Sequence, residues 1–128
     1  MRLLLDTHAL IWAVDDPDRL GPDAAKAIGN PANELLLSAA SIWELSIKVS
    51  LGKLTLSLPF RAWTDKAIAD LGAVLLPITV EYADAVAQLP NHHGDPFDRM
   101  LIGQTRVENM PIASGDAILD QYGVTRLW

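Results

Sequence analysis

The chain contains no cysteine. Disulfides and thiolate zinc sites are thereby excluded, and a reducing compartment suits it. No apolar run approaches the ~18 residues of a membrane span. Leu3–Leu5, just after Met1 and Arg2, is too short for the core of a signal peptide. The expectation is a soluble, cytoplasmic protein with no membrane partner. Basic charge is also scarce: 10 Lys and Arg face 16 Asp and Glu, a formal net charge of −6. Taken alone, this argues against nucleic-acid binding, which usually leaves a basic footprint. The argument weakens where carboxylates gather around cations, because the ions reverse the local sign. There is no phosphate loop, since Gly52-Lys53 in "LGKLTL" lacks the upstream glycine and the following Ser or Thr. "GDAILD" likewise fails as a calcium loop.

What is present is a chain of 128 residues, half of them hydrophobic, which fits one domain with a substantial core, residues 1–128. Short apolar runs alternate with helical patterns. "RLLLD" (2–6), "ELLLS" (34–38), "AVLLPI" (73–78) and "MPIAS" (110–114) read as strands, and "VTRLW" (124–128) as a possible last one. Helices are expected over 7–14, 24–30, 39–52, 58–72, 79–90, 95–109 and 116–123, with glycine or proline closing several of them. This order predicts an α/β domain with a mostly parallel, buried sheet. Ligands of such sheets collect beyond the carboxyl ends of the strands. Asp6 ends the first strand and Asp116 follows the fourth, so topology makes them neighbours in that crevice.

Each acid also has an ordinary structural explanation. Asp6 and Asp116 are plausible helix N-caps. Asp95 fits an N-cap with Pro96 in the first helical position and Asp98 in the third. Glu44 completes a capping box with Ser41 if the helix starts there, but lies in the second turn if Ser38 is the cap. In the second case it sits among Ile42, Trp43, Leu45 and Ile47 and needs a partner. Lys48 shares its face, as an ion-pair partner or a phosphate contact. The joint placement is more informative than any one residue. Two carboxylates ~4 Å apart repel by roughly 4 kcal/mol at an effective dielectric of 20. A cluster of four therefore needs protons or cations, and hard oxygen donors without Cys favour Mg²⁺ or Mn²⁺. Adjacent His92 and His93 lack the one-face spacing of a helical zinc motif.

In this order and spacing, "LLLDTHALIW", "SAASIWELSIKVSLGKL", "HHGDPFDRMLIGQ" and "IASGD" resemble PIN-domain proteins, above all the VapC-like toxins of prokaryotic toxin–antitoxin pairs. The resemblance spans nearly the whole chain. It implies a three-layer α/β/α sandwich and a metal-dependent endoribonuclease. Carried over by position, the acidic metal site is Asp6, Glu44, Asp98 and Asp116, with Asp95 beside it. Thr7 and Ser114 match hydroxyl positions that line such sites. A homodimer is implied, with a small antitoxin whose tail blocks the site. Lys48, Lys53, Arg99 and His93 are candidate phosphate contacts.

The expected reaction is in-line attack by a metal-activated water, leaving a 5′-phosphate and a 3′-hydroxyl, with Glu44 or Asp98 orienting the water. Two other classes compete. A phosphatase with Asp6 as nucleophile is disfavoured, since "DTH" places His8 where a second acid is expected. A non-catalytic α/β binding module would use its acids only as caps. Trp12, Trp43 and Trp63 are candidates for a partner surface, with core packing the competing role.

Overall fold

Alternate leucines of the first strand enter different cores, and this period of two builds the architecture. The computed structural model describes residues 1–128. Strands β1 (Arg2–Leu5), β2 (Glu34–Ser38), β3 (Val74–Leu76), β4 (Ile112–Ala113) and β5 (Arg126–Leu127) form one sheet in the order β3-β2-β1-β4-β5. All pairings are parallel, with Leu5 opposite Leu37 on one side and Ala113 on the other. Leu3, Leu5, Leu35, Leu37 and Ala113 pack on one face against Leu10, Leu45 and Trp63. Leu4, Leu36, Leu76 and Ile112 pack on the other against Tyr82, Leu101 and Ile102. Helices α1 (Thr7–Asp15), α2 (Pro22–Gly29), α3 (Ala39–Ser50) and α4 (Phe60–Leu71) supply the first layer. Helices α5 (Val80–Ala87) and α6 (Pro96–Glu108) supply the second. The fold is thus the expected three-layer α/β/α sandwich, buried on both sheet faces.

The sheet explains where a site can form. The chain leaves β1 for β2 and β3, then returns to place β4 on the opposite side of β1. The crevice beyond the ends of β1 and β4 is therefore a switch point of the topology. Asp6 N–H donates to Ala113 O at 3.0 Å, which ties the two strand ends together.

Several boundaries differ from the sequence reading. The segment after Asp116 is a 3₁₀ helix, Ala117–Tyr122, rather than an α-helix. Strand β4 is two residues long, because Pro111 lacks an N–H for the ladder and Ser114 turns toward the crevice. A 3₁₀ turn, Pro17–Arg19, lies within the loop after α1. Gly52 and Gly72 take left-handed conformations that stop α3 and α4.

Trp63, a candidate surface aromatic, is 0% exposed. Its indole N–H donates to Asp15 Oδ1 at 2.9 Å, and Ser57 donates to the same carboxylate through both its amide and its hydroxyl. Burial pushes the Asp15 carboxyl up, but the hydrogen bonds from Ser57 and Trp63 outweigh it and hold the pKa below the ordinary value. Asp15→Ala strands a buried indole N–H. The expected loss is about 1–3 kcal/mol, read as a lower urea midpoint with an unchanged slope. A midpoint equal to wild type would remove Asp15 from the account of α4 docking.

Candidate metal-binding active site

Each acid reaches the crevice through a local rule. Asp6 stops β1 and caps α1, accepting from Ala9 N–H at 2.7 Å through Oδ1. Asp116 follows β4 and caps the 3₁₀ helix, accepting from Ile118 N–H at 3.2 Å. Ser114 lies between them: its hydroxyl oxygen accepts from Asp116 N–H at 3.1 Å, and its polar side chain favours the charged form of Asp6. Asp95 caps α6, accepting from Phe97 and Asp98 N–H at 2.9 and 3.0 Å. Pro96 and Asp98 then take the first and third helical positions, as the sequence predicts.

Ser38 caps α3, accepting from Ala40 N–H. The capping box of Ser41 with Glu44 is therefore absent, and Glu44 is a buried acid of the second turn, 6% exposed. Its charge is matched from two sides. Thr7, the first residue of α1, donates its hydroxyl to Glu44 Oε1 at 2.6 Å. Lys48 Nζ donates to Oε2 at 2.7 Å, one turn along α3. Ser41 Oγ lies 3.1 Å from Thr7 Oγ1, completing a buried polar contact between α1 and α3.

Electrostatics show strain among the aspartates. Burial raises the Asp6 pKa above the ordinary value; Ser114, Ala9 and His8 oppose the rise, and Asp116 adds to it. Burial, then repulsion from Asp95, lifts Asp98 to about 6; His93 opposes this and Asp116 reinforces it. Asp116 is thus the common charged neighbour of Asp6 and Asp98. No three His, Asp or Glu side chains stand close enough to share one ion in their present conformations. Asp116 repels both Asp6 and Asp98, and Glu44 joins this edge of the sheet through Thr7, next to Asp6.

The raised values dictate a pH response. In metal-free buffer the folded state binds protons more tightly than the unfolded chain, so this contribution to stability is present below the ordinary carboxyl pKa. It is lost as pH rises through about 6. Asp98→Asn removes the titration. In EDTA, the stability of this variant relative to wild type is expected to improve between pH 4.5 and 7.5, as read by urea unfolding. A pH-independent difference would contradict the shift.

His93 and Arg99, candidate phosphate contacts, are occupied within the protein. Tyr122 Oη accepts from His93 N–H at 3.2 Å and from Arg99 Nη1 at 3.2 Å. Its own proton is then left for His93 Nδ1, 2.7 Å away. That fixes the imidazole with its hydrogen on Nε2, 3.3 Å from Asp98 Oδ2. Arg99 also donates to the carbonyls of Leu89, Pro90 and His93, fixing the loop before α6. Lys53 lies on the exposed turn after α3. His92 packs edge-on against Tyr122.

The sequence reading missed four contributors. Tyr122 organises the Asp98 side of the site from the 3₁₀ helix. Arg126 forks onto Asp120 with two bonds of 2.9 Å and donates to Ser114 O at 3.2 Å, bracing the turn before Asp116. Arg19 and Trp128 line a cleft of ≈ 610 Å³ with Asp6, His8, Trp12, Gly115 and Asp116. None belongs to a local motif; only the closure of β5 beside β4 brings Arg126 and Trp128 to this edge.

Comparison with known proteins agrees with this geometry. The PIN-domain model matches residues 3–124. Ribonuclease VapC22 of Mycobacterium tuberculosis is 34% identical over 107 residues, covering 84% of this chain and 80% of that protein. Among solved structures, VapBC2 from Rickettsia felis, bound to a DNA fragment from its promoter, has a TM-score of 0.71 at 13% identity. That match covers 98% of this chain and 97% of the other. FitAcB from Neisseria gonorrhoeae has a TM-score of 0.65 at 19% identity, covering 97% and 95%. These two structures share its fold. With the family's model running from β1 through the 3₁₀ helix after Asp116, and so across both acidic strand ends, the chain belongs to the PIN-domain family.

Proposed function

We propose that the protein is a divalent-metal-dependent endoribonuclease and the toxin of a toxin–antitoxin pair, with Asp6, Glu44, Asp98 and Asp116 as its acidic site. The observation that carries this reading is the placement of Asp6 and Asp116 beyond the ends of β1 and β4, with Asp116 repelling both Asp6 and Asp98 and the pKa values of those two raised. Buried charge, and to a lesser degree repulsion from Asp116, are unfavourable in a protein that only caps helices, and a bound cation relieves both. The resemblance to a VapC ribonuclease over most of the chain supports the same reading.

The donor set is all oxygen and fits Mg²⁺ or Mn²⁺. Asp6, Asp98 and Asp116 would hold the ion, with Glu44 beside them. When bound, it supplies a water of lowered pKa and neutralises charge on the phosphate oxygens. The chain's own residues prepare for this. The backbone of Ala9 orients Asp6, and Lys48 and Thr7 hold Glu44. His93, with its tautomer set by Tyr122, steadies Asp98. Of the two acids that compete to orient the water, Asp98 is the freer, with one contact at 3.3 Å where Glu44 has two below 2.8 Å. Water attack leaves a 5′-phosphate and a 3′-hydroxyl.

An antitoxin and a second copy of the chain are the proposed partners, and a reducing cytoplasm the proposed setting. No helix is long and apolar enough to cross a membrane. Trp43 and Leu51 on or next to α3 are each 61% exposed, and Val74, Leu75, Ile78 and Val80 are exposed along and after the edge strand β3. Apolar surface of this kind is what partners cover.

The test is a titration of purified protein with Mg²⁺ and Mn²⁺, read by melting temperature and by RNA cleavage with end-group mapping. Stabilisation of ~2.7 kcal/mol is expected at a hundredfold excess over Kd. A melting temperature indifferent to both ions, together with no cleavage, would overturn the assignment.

A further inference from the structure

The acidic cleft has an aromatic wall that the four acids do not explain. His8 and Trp12 share a face of α1 by their four-residue spacing, with ring centroids 5.4 Å apart. Trp128 lies 5.6 Å from Trp12. The Arg19 guanidinium stands over the Trp12 ring at 5.0 Å. All four line the same cleft as Asp6 and Asp116. Its volume, ≈ 610 Å³, lies within the range of small-ligand sites.

The wall is built in place. Asp23 and Ala24 N–H groups donate to the Trp128 backbone oxygen at 2.8 and 3.1 Å. A Cβ at Gly21 would lie 2.4 Å from the Trp128 carbonyl carbon, and one at Gly115 would lie 3.0 Å from the indole ring. Glycine beside Asp116 therefore admits the indole to the edge of the acidic site. These tryptophans differ from Trp63, which is fully buried with its N–H bonded to Asp15. Trp12 and Trp128 are half-buried, and neither indole N–H is a buried orphan. A half-buried aromatic with a wet polar end is suited to stacking on a ligand.

We infer that Trp12 and Trp128 form a stacking platform for an unpaired nucleobase of single-stranded RNA next to the scissile phosphate, with Arg19 contacting the neighbouring backbone. This deepens the ribonuclease reading and rests on it. It also reconciles RNA binding with a net charge of −6. Stacking on aromatic rings supplies affinity without a basic groove, and a base can reach such a wall only when it is unpaired. Few phosphate contacts mean a shallow dependence on salt, since the slope scales with their number.

The test compares the full-length wild type with Trp12→Leu, Trp12→Phe and Arg19→Ala. Leucine retains apolar packing but lacks a ring face; phenylalanine retains the face. Binding of a fluorescein-labelled single-stranded RNA is measured by anisotropy in EDTA, beside the duplex of the same sequence and the strand with abasic positions. Trp12→Leu is expected to weaken single-strand binding between about fivefold and 150-fold. Trp12→Phe should recover most of it, and Arg19→Ala should flatten the salt slope. Duplex and abasic RNA should bind wild type weakly. Single-strand affinity unchanged in Trp12→Leu, or equal affinity for duplex or abasic RNA, overturns the platform. Loss of a co-expressed antitoxin with unchanged RNA affinity also overturns it and gives the wall to the protein partner. Cleavage by wild type with Mg²⁺ is scored separately. Active enzyme with unaffected Trp12 variants refutes the platform alone; absent cleavage refutes the nuclease reading.

Discussion

Asp116→Asn and Asp6→Asn are each expected to lower metal-dependent RNA cleavage by more than about a hundredfold while leaving the fold intact. Groups that only orient a metal ligand are worth 10–100-fold when removed, so loss of a ligand itself should exceed that. Stability should behave differently. Asparagine caps a helix about as well as aspartate, so the bonds to Ala9 and Ile118 N–H survive. Asp6 is 8% exposed and its charge is opposed by burial, so an uncharged amide removes a desolvation cost. In EDTA the Asp6→Asn melting temperature should equal or exceed that of wild type. Adding Mg²⁺ should then stabilise wild type and not the variant. Full ribonuclease activity in either purified variant would end the assignment of that acid. Equal Mg²⁺ stabilisation of wild type and variant would remove it from the metal site.

The second large effect separates two aspartates three residues apart. Asp98→Asn should cut cleavage by more than about a hundredfold with little loss of stability, since Asp95 remains as the cap. Asp95→Ala should show the reverse pattern. Removal of an N-cap costs about 0.5–2 kcal/mol, and relief of the repulsion that Asp95 exerts on Asp98 offsets part of it. A net loss near 1 kcal/mol is therefore expected. Its activity should fall less than tenfold, because the Asp95 side chain bonds to backbone N–H groups and not to the Asp98 carboxylate. The check is to measure both variants for urea midpoint and for initial cleavage rate at saturating Mg²⁺. Equal activity losses would mean that the two acids share one role.

The strand-to-helix junctions at Asp6 and Asp116, and the helix start at Asp95, were legible because each rests on neighbours in sequence. An apolar run ends, a carboxylate follows, and a helix begins. The start of α3 was legible only as a choice between Ser38 and Ser41, because both are competent caps. The pairing of β2 with β1 and β3 decided it, by carrying the strand as far as Ser38. The fate of the tryptophans was not legible. Trp12, Trp43 and Trp63 all lie in amphipathic helices, yet Trp63 is sealed over Asp15, Trp43 is 61% exposed and Trp12 borders the acids. Helical periodicity places a residue on a face but says nothing about what covers it.

Local patterning thus determined the order of strands and helices, the caps, and the positions of the carboxylates along the chain. Those are short-range matters of hydrophobic period and orphan backbone groups. The tertiary structure alone decided that Thr7 answers Glu44, that Tyr122 sets the His93 tautomer, and that Arg126 and Trp128 complete the edge around Asp116. Each is a contact across at least a dozen residues of chain. It exists because parallel strands must be joined by crossovers, which bring distant segments to one end of the sheet.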